Sequence, residues 1–326
     1  MMGCGQSGST GGGGVVQDFD PDMPSGVVSF EISMISTGEF KRIIALGNLN
    51  PAEHTLPTDH INFVHDKEFG QAVVYAPASG KVLDIYTFNY GSKYDHRIKI
   101  GVTNSYTYIF YHVILDTGIK VGDAVSYGQR LGVLSDQVST LGLGLLNKNA
   151  VNSFIDSGRY ASSFIHGDSP LKYFKEPARS QLYAKVDRNG SDKDGVFCYD
   201  KPGNLVGNWF WESAPVTQTT AVTECGTMEI AFVYDVTRPE SVAISIGGTI
   251  FDAGVYYVSS EATDPAKVTT SNEKVTYKLY QDYGCLVRKG ILIAQMITDS
   301  KISLEASSDT TLETIGFTST AKNYTR

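Results

Sequence analysis

Three histidines and two aspartates fall within the thirteen residues HTLPTDHINFVHD, numbers 54 to 66, in a chain with six histidines in all. Imidazole and carboxylate at this density are metal-ligand chemistry, since both offer lone pairs that zinc accepts. A catalytic zinc takes about three protein ligands and keeps one position open. The question is which of these side chains can converge. Read as a strand, DHINFVH sends Asp59, Ile61, Phe63 and His65 to one face and His60, Asn62 and Val64 to the other. Regular strand geometry therefore keeps Asp59 and His60 from sharing an ion. The alternative is hydrogen bonding, with Asp59 and His60 tied to backbone and tyrosine hydroxyls as the floor of a cleft. His65, followed by Asp66, Lys67 and Glu68, reads as a solvated turn, and His96 and His166 as isolated surface or packing residues.

Other clusters carry weaker chemistry. DRNGSDKDG places Asp187, Asn189, Asp192 and Asp194 where their oxygens could circle calcium, but the terminal bidentate glutamate is missing and a plain acidic turn is the better reading. Trp209, Phe210 and Trp211 make either a stacking platform for sugar or peptide or, preferably, an aromatic strand plugging a core. Cys198, Cys225 and Cys285 contain no Cys-x-x-Cys pair, so a zinc knuckle is not expected. One disulfide among them is open, in any of its pairings. There is no Gly-x-Ser-x-Gly elbow and no phosphate loop. A formal charge of −8, without a basic run, argues against nucleic acid.

These residues must be positioned by strands. Tyrosine, threonine, serine and glycine are plentiful, and the apolar runs are short, a composition that favours strands and turns. KVLDIYTF, HRIKIGV and SYTYIFYHVIL alternate as a sheet with one covered face. In the last of these, Tyr106, Tyr108, Phe110 and His112 are expected on one side and Thr107, Ile109 and Tyr111 on the other. A few helical turns are expected in NAVNSFIDSGRYASSFIHG and in SPLKYFKEPARSQLY, the latter stopped by Pro177. Beyond Val186, at least six strand-like segments without a convincing helix predict a sandwich or barrel. The expected organisation is a Gly/Ser-rich tether over residues 1–25, a first β domain over 26–183 and a second over 184–326. At 326 residues the chain is long enough for two cores.

The pair VYAPASGKVLDI, residues 74–85, and GIKVGDAVSYGQRLGVLSD, residues 118–136, resembles the duplicated hybrid-motif β fold. Biotinyl and lipoyl carrier domains use it, as do the lysostaphin-type (LytM-like) zinc endopeptidases of bacterial cell walls. Gly122, Gly128 and Gly132 suit its sharp bends. A carrier domain would need a lysine at a hairpin tip between the two halves, and none stands there. The endopeptidases place a histidine that helps to activate the zinc-bound water where His112 stands, and a His-x-x-x-Asp pair where His54 and Asp59 stand, one residue too far apart. The resemblance covers roughly residues 26–183. It implies a cleft with His54, Asp59 and His112 converging, lined by His60, Tyr108 and Phe110. It also implies a His-x-His after the last turn, and here that place reads STLGLGLLNKN, residues 139–149. The expected wall is therefore leucine, from Leu141, Leu143 and Leu145, with neither ligand nor second base.

The resulting expectation is a non-catalytic, extracytoplasmic binding or scaffolding protein on a degenerate endopeptidase-like fold. It carries no cofactor, and its partner is peptidoglycan, a peptide, a glycan or an envelope protein. The alternative is an active zinc metalloendopeptidase using His54, Asp59 and an unconventional third ligand, with His112 as base. Gly3-Cys4 ahead of the glycine tract resembles the mature start of a bacterial lipoprotein, which would put a lipid on Cys4; the bland reading is a disordered tail. No complete signal peptide and no bilayer-length apolar run are expected.

Overall fold

The computed structural model describes residues 17–65, 72–214 and 226–326. Cys4, Asp66 and Cys225 lie outside them, and with them the expected lipid site. The chain divides into two units. Unit 1 takes the residues through Leu46, Asp59–Asn152 and Ser162–Gly195, and unit 2 takes Gly47–Thr58, Ser153–Ala161 and Val196–Arg326.

Unit 1 is built on one sheet. Its strands are β1 (Arg42–Ile44), β2 (His60–Val64), β3 (Val73–Tyr75), β4 (Gly80–Tyr90), β5 (Lys93–Thr103), β6 (Tyr106–Leu115), β7 (Ala124–Val125), β8 (Arg130–Leu134), β9 (Thr140–Asn147) and β10 (Gly167–Asp168). The order is β1-β2-β9-β6-β5-β4-β7, with β10 on β9 and β8 joining β3 to β6. One face is the core, where Phe63, Ile98, Ile100, Tyr108, Phe110, Leu141, Leu143 and Leu145 are buried. The two halves of the hybrid motif meet as antiparallel pairs, β4 with β7 and β3 with β8. Gly122 and Gly128 turn at φ +94° and +73°, which a side chain disfavours. Gly132 is needed for another reason, because a Cβ there would lie 2.1 Å from the Ile114 carbonyl oxygen.

The unit boundary falls after Gly195, beyond the DRNGSDKDG turn. That turn stays with unit 1 because Ile43 N donates to Lys185 O, Asp187 N donates to Ile43 O and Leu46 bridges Gly195. Its acidic groups already have protein donors: Arg42 on Asp187, Arg188 on Asp192, and the hydroxyls of Ser169 and Tyr183 on Asp194 at 2.5 and 2.8 Å. Residues 17–25, expected in the tether, are tied to the sheet through Asp18, Asp20 and Pro24. Among the described residues helix is confined to short pieces, including α1 (Ser162–Ile165) and α2 (Ala178–Tyr183). Pro177 stands at the N-terminal end of α2, so it starts that helix rather than stopping one, as a ring with fixed φ and no N–H allows.

Unit 2 is a closed barrel of β11 (Gly207–Trp211), β12 (Glu229–Tyr234), β13 (Val242–Ile246), β14 (Gly254–Tyr257), β15 (Val275–Tyr280), β16 (Arg288–Thr298), β17 (Lys301–Ser307) and β18 (Lys322–Thr325). Neighbours in sequence pair antiparallel, and β18 returns to β11. Trp209, Phe232, Tyr277 and Tyr324 are fully buried in its core, so Trp209 packs rather than offering a platform. The outer side of β11 is covered within the unit by Tyr160, 5.8 Å from Phe210, which stacks at 4.0 Å on Phe154. Among the described residues, Cys198 and Cys285 form no disulfide. No helix among the described residues is long and apolar enough to cross a membrane.

Candidate functional site

Opposite the core, the unit 1 sheet presents a face built from β2, β9, β6, β5 and β4. His60 pairs with Gly144 and Asn62 with Gly142 on one side of β9, and Ile109 and Tyr111 pair with the same glycines on the other. Cross-strand partners share a face, so His60 and Tyr111 flank two positions without side chains. They close over that gap and stack, with ring centroids 4.4 Å apart. Alternation on β9 sends Leu141, Leu143 and Leu145 the other way, into the core. The wall beside His60 is thus glycine, where leucine was expected.

Asp59 and His60 are joined, Nδ1 to Oδ1 at 2.9 Å, and both are buried. Asp59 precedes the first residue of β2, so strand alternation does not bind it. The sequence expectation that the two side chains point apart fails for that reason. His65 is buried at 2% exposure rather than solvated, its N–H donating to Ser139 O. His96 and His166 are packing residues, with Nδ1 contacts of 3.1 Å to Val113 O and 2.8 Å to Ala150 O.

His112 is placed by a bulge. On β5, His96 and Ile98 pair with Val113 and Phe110, so two residues are spanned on one strand and three on the other. His112 takes φ +67°, and the extra residue puts it on the same face as Tyr111. Its Nδ1 lies 3.2 Å from Asp95 Oδ2 and 3.4 Å from the Tyr90 hydroxyl, and its ring is 5.3 Å from Phe88. Tyr108 and Phe110, expected beside His112 as cleft lining, are fully buried in the core and pack edge-on at 5.5 Å. The bulge separates them from the histidine. The signal was in the sequence: Phe110 and Val113 are apolar three apart, with Tyr111 and His112 between, which breaks the period of two.

Sequence reasoning missed Tyr111, Asp95 and a charged row beside them. Burial pushes the Tyr111 hydroxyl far up, and the charge of Asp59 adds to the shift. Arg97 Nη2 donates to Asp84 at 2.8 Å, and the guanidinium carbon lies 5.2 Å from the Tyr86 ring centre. Lys99 pairs with Asp18.

His54 belongs to the unit 2 segment Gly47–Thr58, where it exchanges backbone hydrogen bonds with Asn50, whereas Asp59 and His112 belong to unit 1. Among the described residues, no three His, Cys, Asp or Glu side chains are grouped to hold a metal ion. On the sheet face Asp59 engages His60, Asp95 engages His112, and the two β9 positions beside His60 are glycines, whose missing side chains offer no ligand.

No protein-family model matches the chain, and no curated protein matches it. Solved structures similar to it include peptidases of the M23, lysostaphin type. The catalytic domain of the antimicrobial peptidase lysostaphin from Staphylococcus simulans is 20% identical, with 44% of this chain matched to 98% of that one at a TM-score of 0.30. Csd3 from Helicobacter pylori is 15% identical over 45% of this chain, TM-score 0.32, and the match spans only 35% of Csd3. The SpoIIQ–SpoIIIAH pore-forming complex is 11% identical, covering 47% of this chain and 96% of that one, TM-score 0.31.

Proposed function

We propose that unit 1 is a non-catalytic, extracytoplasmic binding or scaffolding module on a peptidase-like sheet, which holds peptidoglycan, a peptide, a glycan or an envelope protein without cleaving it. The observation that carries this reading is the glycine wall of β9. The resemblance read from the sequence puts a ligand and a base after the last turn, whereas this chain has Gly142 and Gly144 there, with the His60–Tyr111 stack packed against them. Losing one metal ligand or transition-state donor commonly lowers turnover by factors of hundreds. The two Asp–His pairs support the same reading as hydrogen-bond nodes that hold the floor of a binding face.

The test incubates the full chain with purified peptidoglycan and with glycine-rich peptides, with and without added zinc. Co-sedimentation with peptidoglycan and no released fragments is the expected result. Zinc-dependent cleavage that disappears in both His54→Ala and His112→Ala would overturn the reading in favour of a metalloendopeptidase.

A further inference from the structure

Lys99 is a lysine at 9% exposure on the open face of β5, opposite Asp84 in register. A buried ammonium must be paired. Asp84 is engaged by Arg97, so Lys99 turns to Asp18, in the first described segment of unit 1, ahead of its strands. Asp18 has three anchors. Its carboxylate accepts from Lys99 and, at 2.6 Å, from the Ser162 hydroxyl, and its backbone carbonyl accepts from the buried Thr107 hydroxyl at 2.6 Å. Burial alone would raise this carboxyl. The charge of Lys99, the hydrogen bonds from Lys99 and Ser162, and the charge of Arg97 outweigh it and hold the group below the ordinary carboxylate range.

What holds this segment is polar and short. Besides Asp18 there is Asp20 on Lys81 at 2.9 Å, Pro24 O accepting from Asn104 N, and one edge-on contact of Phe19 with His166 at 5.9 Å. The cation and the two hydroxyls belong to the body of unit 1, whereas the anion arrives on a strap that adds little apolar surface. We propose that Lys99, Ser162 and Thr107 form a carboxylate-binding site on unit 1, filled in this structure by the chain's own Asp18. The ligand class follows from what Asp18 itself supplies: a side-chain carboxylate with an amide carbonyl a few atoms away, the chemistry of an acidic peptide. The strap lowers the apparent affinity for such a ligand by the fraction of molecules in which it is closed.

The inference rests on the binding reading only in using the same sheet face. A module can hold peptidoglycan elsewhere, and carboxylate entry is measured without peptidoglycan. The experiment titrates N-acetyl-aspartate N-methylamide into the full wild-type chain, Asp18→Ala and Asp18→Ala/Lys99→Met, following chemical shifts. Its asparagine counterpart and glucuronate serve as separate arms. Asp18→Ala is expected to bind the aspartyl probe about tenfold more tightly than wild type, to ignore the asparagine probe, and to lose the gain with Lys99→Met. Glucuronate binding equal to that of the aspartyl probe would overturn the peptide assignment. Equal affinity of wild type and Asp18→Ala, or no binding by either, would overturn the site. Should Asp18→Ala fail to fold, Lys81→Met frees the strap at Asp20 while leaving Lys99, Ser162 and Thr107 intact, and the same titration must show a gain of about threefold.

Discussion

Gly142 is the tightest point on the sheet face around His60. A Cβ there would lie 3.0 Å from Tyr111 Cβ and 3.1 Å from both Tyr111 Cδ2 and His60 Cδ2, closer than side chains ordinarily pack. At Gly144 the nearest atom would be His60 Cβ at 3.5 Å, an ordinary contact. Gly142→Ala should therefore cost about 1–3 kcal/mol in urea unfolding, the usual range for overpacking, while Gly144→Ala stays near neutral. Adding Tyr111→Ala should recover part of the Gly142→Ala cost, because the two changes share one contact. Strictly additive losses would show that the stack does not rest on this glycine. The Asp59–His60 pair was legible as a dense polar cluster in the sequence. Tyr111 and Asp95 were not, since nothing local marks a tyrosine as a stacking partner for a histidine 51 positions away.

At the scale of elements, strands were legible wherever alternation was clean, as in HRIKIGV within β5 and KISLEAS as β17. Alternation failed at the β6 bulge, because one inserted residue moves every later side chain to the other face. The choice between sandwich and barrel was also hidden. Closure depends on β18, only four residues long and pairing at Trp211 and Phe210, and KNYT carries no strong strand signal of its own. Arg326, next to β18, secures that closure. Its guanidinium donates to the carbonyls of Val206 at 2.8 Å and Lys201 at 2.9 Å, with Asn204 as a third acceptor, and lies 4.0 Å from the Trp209 ring centre. Burial pushes it down to about 10, against the pull of Asp200. Arg326→Ala should destabilise unit 2 by about 2 kcal/mol, the scale of a charge-assisted hydrogen-bond set net of desolvation. Arg326→Lys should recover less than half, because an ammonium cannot reach three carbonyls in one plane. An unchanged midpoint in denaturation followed by tryptophan emission would remove Arg326 from the closure.

At the scale of the molecule, the two units answer pH with opposite signs. In unit 1, Asp18 and Asp168 are held below the ordinary range; burial opposes this in both, and their hydrogen-bonded lysines outweigh it. A depressed carboxyl contributes stability above its unfolded value, and that contribution disappears as pH falls through the folded one. The window lies at and below the ordinary aspartate value of 3.8. In unit 2, burial raises Glu229 to about 8 and also raises Asp200. Here the folded state favours the proton, so stability is highest below pH 4.5 and declines as pH climbs toward 8. Between about pH 5.5 and 9 only the second effect operates, amounting to at most about 3 kcal/mol. The chain's two tryptophans, Trp209 and Trp211, both lie on β11, so their emission reports unit 2 selectively. Melting followed by that emission should drop by roughly 10 °C between these pH values for a unit of this size. Glu229→Gln, neutral throughout, should flatten the dependence and melt higher than wild type at the alkaline end. A wild-type midpoint indifferent to pH across this interval would mean that Glu229 is already ionised in the folded unit, with a counter-charge close by.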